Sequence, residues 1–412
     1  MSWLDAYKGN DLPHFLDCLT SEGWFWAVKR LSGNDTGLTG GHQVGLYLPK
    51  WFFQNVFPEI CVKTDHNPKA QIESFFFPSH DVEIRGVTAT YYNTKHFPEL
   101  GLKKPYDEFR LTRFGGKENP LQQHDNTGSI VVIACRVSAG VRYGLAWCAT
   151  SVEEETAIEQ WVGSDVQPGE VIGSRNAEMP SGPKDVTRLA IENLPEEWLR
   201  EFPTGTQMFD AVRKILPHDR TVGSLDSLLL QRRALEYALF EEIEKRHVLP
   251  QINKGFNTVD AFMSLALSLA NRRKSRTGRS LELNLGTIFR DVGLRFEEQV
   301  KTEREKRPDF LFPSARDYHD DSFPLQKLYM LGAKTCCKER WAQILAEADR
   351  IKTKHLFTLQ EGVSENQLAE MKQCGVVLVV PSPNKKCFPK EWRSSLLDLQ
   401  GFVDTVTVSQ RS

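Results

Sequence analysis

The hydrophobic pattern changes period part-way along this chain, and no single arrangement of layers accommodates both halves. Up to about Trp161 it carries short runs bounded by turn formers: GLYLP (Gly45–Pro49), SFFFP (Ser74–Pro78), TATYYN (Thr88–Asn93), SIVVIACRV (Ser129–Val137) and YGLAWCAT (Tyr143–Thr150). Their β-branched and aromatic residues at short spacing predict a barrel or sandwich. A helix is expected before them over Leu12–Cys18, and another after them over Val152–Trp161, where Ser151 and Glu154 fit a capping box. After about Leu194 the period becomes helical, with helices expected over Leu225–Val248, Val259–Leu269 and Ser280–Val292. Strands (Asp309–Phe312, Leu328–Ala333, His355–Thr358, Val376–Val380) then alternate with helices (Glu339–Ile351, Ser364–Cys374). That alternation predicts an α/β sandwich around a mixed sheet.

Between the halves, Gly163–Pro183 is rich in Gly, Pro and Ser and reads as a linker region. The chain has 412 residues, enough for two cores at roughly 150 residues each. The expected division is a multi-domain chain with a β-barrel-like domain over 1–175, a linker over 176–195 and an α/β domain over 196–412. A net charge of −2 means that any nucleic-acid-binding surface must be local and offset by acid elsewhere. Eight cysteines without a CxxC pair argue against zinc and for a reduced, cytoplasmic protein. No secretory start is evident, and no apolar run approaches the roughly 18 residues of a bilayer span, so no membrane partner is expected.

The chemistry is expected in the second half. In KRPDFLFP, Pro308 cannot donate to a ladder and so marks a strand start, leaving Asp309 at an edge facing out of the sheet. Lys334 ends the next apolar strand, where adjacent strand ends can bring the two together. A carboxylate beside a lysine is the minimal core of a Mg²⁺-dependent phosphodiesterase: the acid holds a hard cation, and the lysine orients or deprotonates the attacking water. Such sites usually place another acid two residues before the lysine, but here Gly332 stands in that position. The missing charge is expected from Glu347, at the margin of the following helix's apolar stripe, with Glu282 in SLELNL as an upstream acid. Taken singly, these are an ordinary turn aspartate, a snorkelling lysine and solvated glutamates; only their combination points to a site.

Two basic clusters accompany them. NRRKSRTGRS (Asn271–Ser280) includes Arg272 and Arg273, suited to phosphates if it is not simply a solvated loop. In KERW, Lys338 and Arg340 can read guanine and Glu339 can accept from cytosine.

At this point the chain resembles the EcoRII-type restriction endonucleases. The stretches that carry the resemblance are KRLSGNDTGLTGGHQVGLYLP (Lys29–Pro49), NRRKSRTGRSLEL, RPDFLFPS, AKTCCKERWAQILAEAD and HLFTLQEGVS (His355–Ser364), in both halves. The resemblance implies a B3-like effector DNA-binding domain followed by a PD-(D/E)xK nuclease whose second acid has migrated to a helix. It implies Asp309 and Glu347 as metal acids for Mg²⁺, Lys334 as catalytic lysine, Glu282 as the upstream acid and Tyr318 as a tyrosine near the active site. Lys338, Glu339 and Arg340 would read C:G pairs. In the effector domain, His42 and Tyr47 fall in a first DNA-gripping arm. Lys103, Lys104, Glu108 and Arg110 fall in a second arm, which is less basic than the family pattern. The implied activity is cleavage of duplex DNA at CCWGG-like sites by a homodimer, activated when the effector domain binds a second copy of the site. A cognate cytosine methyltransferase would protect host DNA without binding this chain. The competing reading is a sequence-specific DNA-binding protein with a degenerate nuclease half. A small-molecule α/β enzyme ranks last, for want of a Gly-rich phosphate loop or a nucleophile motif.

Overall fold

The computed structural model describes residues 11–20, 23–40, 44–77, 85–116, 118–138, 140–174, 177–178, 184–218, 223–338 and 340–411. Helix α1 (Leu12–Leu19) leads into β1 (Trp24–Arg30), β2 (Leu46–Tyr47), α2 (Lys50–Val56), β3 (Lys69–Phe77), β4 (Arg85–Tyr92) and β5 (Glu108–Thr112). Next come β6 (Ile130–Ser138), β7 (Val141–Cys148), α3 (Val152–Val162), β8 (Val171–Gly173) and β9 (Ala177–Glu178). These strands form one nine-stranded sheet in the order β2-β5-β4-β3-β7-β6-β1-β8-β9. Only β3 and β7 run parallel; the other neighbours are antiparallel.

The apolar run at β6 is continuous because both faces of the sheet are covered. Val131, Ile133 and Cys135 enter a core shared with Trp51, Phe52 and Phe53 of α2. Ile130, Val132 and Ala134 enter a second core with Phe15 of α1 and Ile158 of α3. Ser151 caps α3 by accepting from Glu154 N. Glu154 answers onto Thr150 N at 2.6 Å, one residue earlier than a capping box would have it. Part of the Gly- and Pro-rich stretch expected as a linker belongs to this sheet, since β8 pairs with β1 and β9 pairs with β8.

The second half begins with α4 (Lys184–Glu192), α5 (Glu196–Arg200) and α6 (Gly205–Ile215), which pack on the long α7 (Leu225–Lys254). Helix α8 runs unbroken from Val259 to Asp291. Its basic stretch is therefore not a loop between two helices. Arg and Lys are good helix formers, and Arg272 folds back over Phe202 in the α5–α6 connection while Arg276 lies over Tyr237 and Phe240 of α7. After it come β10 (Glu297–Glu298), β11 (Phe310–Phe312), α9 (Ala315–His319), β12 (Tyr329–Lys334), β13 (Lys354–Thr358), α10 (Glu365–Gln373), β14 (Val376–Val379), α11 (Ser382–Lys385) and α12 (Leu399–Arg411). The sheet order is β10-β11-β12-β13-β14, antiparallel up to β12 and parallel from there on. One face packs on α7, α8 and α12 around Phe289, Phe310, Phe312 and Phe402. The other packs on Tyr318, Trp341, Ile344 and Leu368. Among the described residues no helix is long and apolar enough to cross a membrane.

The segment expected as a helix over Glu339–Ile351 is instead a 3₁₀ turn, Trp341–Ala346, that ends on Glu347 in an extended conformation. Ala348 follows with φ +48°, a left-handed conformation that breaks any continuing helix.

His355 on β13 is 5% exposed, wedged against Phe402 with ring centres 5.2 Å apart. Burial pushes its pKa down to about 4. The folded protein thus keeps His355 neutral while the unfolded chain protonates it near its ordinary value, and stability falls as pH drops from about 6.5 to about 4. His355→Leu should remove about 2–3 kcal/mol of that acid-side loss. Denaturant titrations of both proteins at pH 7 and pH 4.5 measure it; equal slopes for the two proteins would contradict the assignment.

Candidate active site and DNA-facing surfaces

Strand β11 meets β12 in the register Phe310↔Leu331, which sets Asp309 beside the end of β12. Asp309 is 8% exposed and turned onto its neighbour rather than out of the sheet. Its Oδ2 accepts from Ala333 N at 2.7 Å and from Lys334 Nζ at 3.3 Å. Its Oδ1 accepts from Gln299 Nε2 at 2.8 Å. Both oxygens are thus oriented, and the Lys334 ammonium is held at the sheet's end.

Gly332 explains how a further acid reaches this pair. A Cβ built on Gly332 would stand 2.7 Å from Ile344 Cγ2, so a side chain at 332 is excluded by the turn itself. The absence of a side chain lets Ile344 seat against β12, and that seating delivers Glu347 three residues later. Burial first, and then the nearby Asp309 charge, push the Glu347 carboxyl up to about 7. Its Oε2 is buried without a hydrogen-bond partner. On α8, burial and then Asp309 also raise Glu282, while Lys334 lowers both acids. Glu282, Asp309, Lys334 and Glu347 therefore share one electrostatic environment.

Among the described residues no three His, Cys, Asp or Glu side chains close into a metal cage. The arrangement nevertheless fits Mg²⁺: an orphaned buried carboxylate oxygen beside a second acid supplies hard oxygen ligands, and Mg²⁺ characteristically takes one or two carboxylates and keeps several waters. Tyr318 lies beneath the site rather than in it. It is fully buried, and its hydroxyl donates to Glu303 and accepts from Arg350 N, bracing the chain just past Glu347.

Beyond Lys334 the chain enters the segment expected to read bases. Gln360 Oε1 accepts from Cys337 N at 2.8 Å and from Lys338 N at 3.0 Å, fixing the backbone there. Lys338 Nζ donates to Ser129 Oγ of the first domain. Arg340 is exposed and, with Lys274 and Arg276, lowers the pKa of Asp165, an acid of the first domain whose carboxyl is raised on balance by burial. Glu339 lies outside the described residues. Arg272 sits over the Phe202 ring at 4.0 Å, and Arg273 is ion-paired with Glu244, so both guanidiniums are engaged within the protein in this conformation.

In the first domain, Tyr47 and Arg110 pair across β2 and β5 at one end of the sheet. Arg110 binds Glu108 at 2.9 Å and Gly45 O at 2.9 Å. Asp35 accepts from Tyr47 N and is ion-paired with Lys29. The two expected arms therefore meet at this edge, with Lys103 and Lys104 exposed just before β5. His42 and Gly41 lie outside the described residues. Sequence reasoning missed Gln299, Gln360 and the cross-domain partners Ser129 and Asp165. Lone polar residues at loop positions carry no periodic signal, and none could have been found without the pairing register.

A basic loop beside a carboxylate–lysine cluster, joined to a separate β domain, is the arrangement of a two-domain nuclease. Two family comparisons agree: "Restriction endonuclease EcoRII, N-terminal" matches residues 20–178, and "EcoRII C terminal" matches residues 240–403. The type II restriction enzyme EcoRII of Escherichia coli is 40% identical over 396 residues, 94% of this chain and 95% of that one. The type II restriction enzyme SsoII of Shigella sonnei is 28% identical over 131 residues, 29% of this chain and 42% of its own length. Solved structures of metal-depleted Ecl18kI with uncleaved DNA align with TM-scores of 0.43 and 0.42 at 18% and 20% identity, covering 56% of this chain and 86% and 85% of those chains. This chain belongs to the EcoRII family of type II restriction enzymes and is a site-specific endonuclease.

The clustered acids repel one another, so Glu347→Gln should abolish cleavage while leaving metal-free stability unchanged or raising it by about 1–2 kcal/mol at pH 8. Thermal unfolding in EDTA tests this; a marked fall in melting temperature would show that Glu347 supports the fold instead.

Proposed function

We propose that this enzyme is a type IIE restriction endonuclease of PD-(D/E)xK type, hydrolysing duplex DNA at CCWGG-like sites with Mg²⁺ in the cytoplasm. The observation that carries this reading is the convergence of Asp309, Lys334, Glu347 and Glu282 at one sheet end, a few residues from Lys338 and Arg340. Asp309 and Glu347 would hold the Mg²⁺. When bound, the ion supplies charge stabilisation at the phosphate and acidifies water. Asp309, fixed by Gln299 and Ala333, keeps Lys334 at the strand end, where it orients the attacking water as the ammonium or takes its proton as the neutral amine. Glu282 supports the site from α8. Lys338, Glu339 and Arg340 read the base edges from the loop directly after the lysine, so a mispositioned base displaces the catalytic strand end.

The first domain acts as a B3-like effector module, gripping a second copy of the site with His42, Tyr47, Lys103, Lys104, Glu108 and Arg110. Its docking keeps the nuclease off. Support comes from the contacts it makes with the base-reading side of the nuclease domain: Lys338 is held by Ser129, Gly33 N donates to Glu361 O at 2.7 Å, Tyr237 OH donates to Glu170 at 2.8 Å, and Asp165 faces the basic cluster. A homodimer matches the two-fold character of the site. The α7–α8 hairpin supports it by leaving Val259, Phe262, Met263 and Leu267 exposed.

Plasmid carrying several CCWGG sites should be cut in Mg²⁺ and spared in EDTA, and Lys334→Ala should lower the rate by at least about a thousandfold. Retained site binding with no cleavage in any divalent metal would instead favour a pure DNA-binding protein. A Cβ on Gly33 would stand 1.9 Å from Cys387 O across the domain junction. Gly33→Val should therefore loosen the effector domain and raise cleavage of single-site DNA by about tenfold or more. An unchanged single-site rate would contradict autoinhibition through this junction.

A further inference from the structure

Lys354 is a buried cation that none of the chemistry above uses. It opens β13, is 6% exposed, and among the described residues has no carboxylate within ion-pair distance. Its ammonium instead donates to three main-chain carbonyls: Glu347 O, Ala348 O at 3.0 Å and Ile351 O at 3.1 Å. An ammonium has three donors and no acceptor, so this arrangement satisfies it completely. A charge is kept in a desolvated place only where strong partners hold it, and here every partner lies in one five-residue segment.

That segment needs holding. Glu347 leaves the 3₁₀ turn in an extended conformation, and Ala348 reverses the chain at φ +48°. Its outer side is gripped by other groups: Glu303 accepts from Asp349 N at 3.1 Å, and Tyr318 OH accepts from Arg350 N at 3.2 Å. Apart from the segment's own Ile351 N–Ala348 O turn bond, Lys354 is the one donor that grips the carbonyl side among the described residues, and it does so from the strand parallel to the one carrying Lys334.

We propose that Lys354 is the positioning residue for the Glu347 carboxylate, fixing its distance from Asp309 through the backbone of 347–351. The inference rests on the reading of Glu347 as a metal-site acid. Removing the clamp leaves Glu347 present but unplaced, which weakens metal capture while DNA contacts stay intact.

The test uses the full-length chain, with Lys354→Met matching length without charge and Lys354→Arg keeping the charge. Amide hydrogen exchange in the metal-free protein should speed up at least about tenfold at 348–351 in Lys354→Met, with β12 and β14 unchanged. In single-turnover cleavage with activating duplex present, the Mg²⁺ half-saturation should rise about 10- to 100-fold, while metal-free DNA affinity stays within about twofold. Mn²⁺ should restore part of the rate, and Lys354→Arg should lie near wild type. A wild-type half-saturation in Lys354→Met overturns the proposal. So does faster exchange across the whole sheet with loss of DNA binding, which marks a general fold role. If the methionine variant does not fold, wild-type exchange decides: fast exchange at 348–351 overturns the clamp, and slow exchange matching β13 supports it. Glu347→Gln in the same titration separates the two levels. An unchanged half-saturation there removes the reading of Glu347 itself, whereas loss of cleavage with no shift in Lys354→Met removes only the inference about Lys354.

Discussion

The ion pair between Lys334 and Asp309, 3.3 Å across the ends of β11 and β12, is the contact around which the nuclease half is organised. The Asp309 side chain is 9% exposed and that of Lys334 27%, so the pair is shielded on the carboxylate side and open on the ammonium side. That asymmetry leaves the ammonium open to solvent while its carboxylate partner stays fixed. The aromatic cluster of Phe289, Phe310, Phe312 and Phe402 holds the strands whose ends carry the pair, and the bare backbone at Gly332 admits the turn that brings Glu347. Packing and chemistry are thus coupled: a side chain at position 332 would displace the turn that delivers the acid.

The second organising contact lies between the domains. Lys338 follows Lys334 by four residues and is tied to Ser129, whose carbonyl also accepts from Leu31 N. Leu31 in turn precedes Ser32 and Asp35, which connect to Lys29 and to Tyr47 N at the β2–β5 edge. A path of hydrogen bonds, bridged by the covalent Leu31–Ser32 link, therefore runs from the β2–β5 edge of one domain to the loop after Lys334 in the other. Asp165 lies near Lys274, Arg276 and Arg340, and Glu170 near Arg273 and Arg276, so the first domain meets the nuclease domain with complementary charge, while Glu155 and Glu159 are held by Arg30 within the first domain.

Much of this was legible in the sequence, for definite physical reasons. The run SIVVIACRV announced a strand, though not that both its faces are buried, and Pro308 announced a strand start next to Asp309. Gly332 was legible as a missing acid, but not as the steric gap that lets Ile344 seat. The helix expected over Glu339–Ile351 failed because its periodicity was real while tertiary packing chose a tighter turn. The break expected within α8 failed because a basic stretch reads as solvated until the rings under it are known. Lys354, Gln360 and Ser129 were silent, since their roles exist only in contacts between segments distant in sequence.

We infer that one metal-dependent site at the end of β12 is held off by the domain docked over the loop that follows Lys334. The most direct test is the single-turnover cleavage rate of a plasmid with one recognition site in Mg²⁺, with and without a short duplex carrying a second copy in trans. Slow cleavage alone and acceleration of about tenfold or more with the duplex are expected. Equal rates with and without the second copy would contradict it.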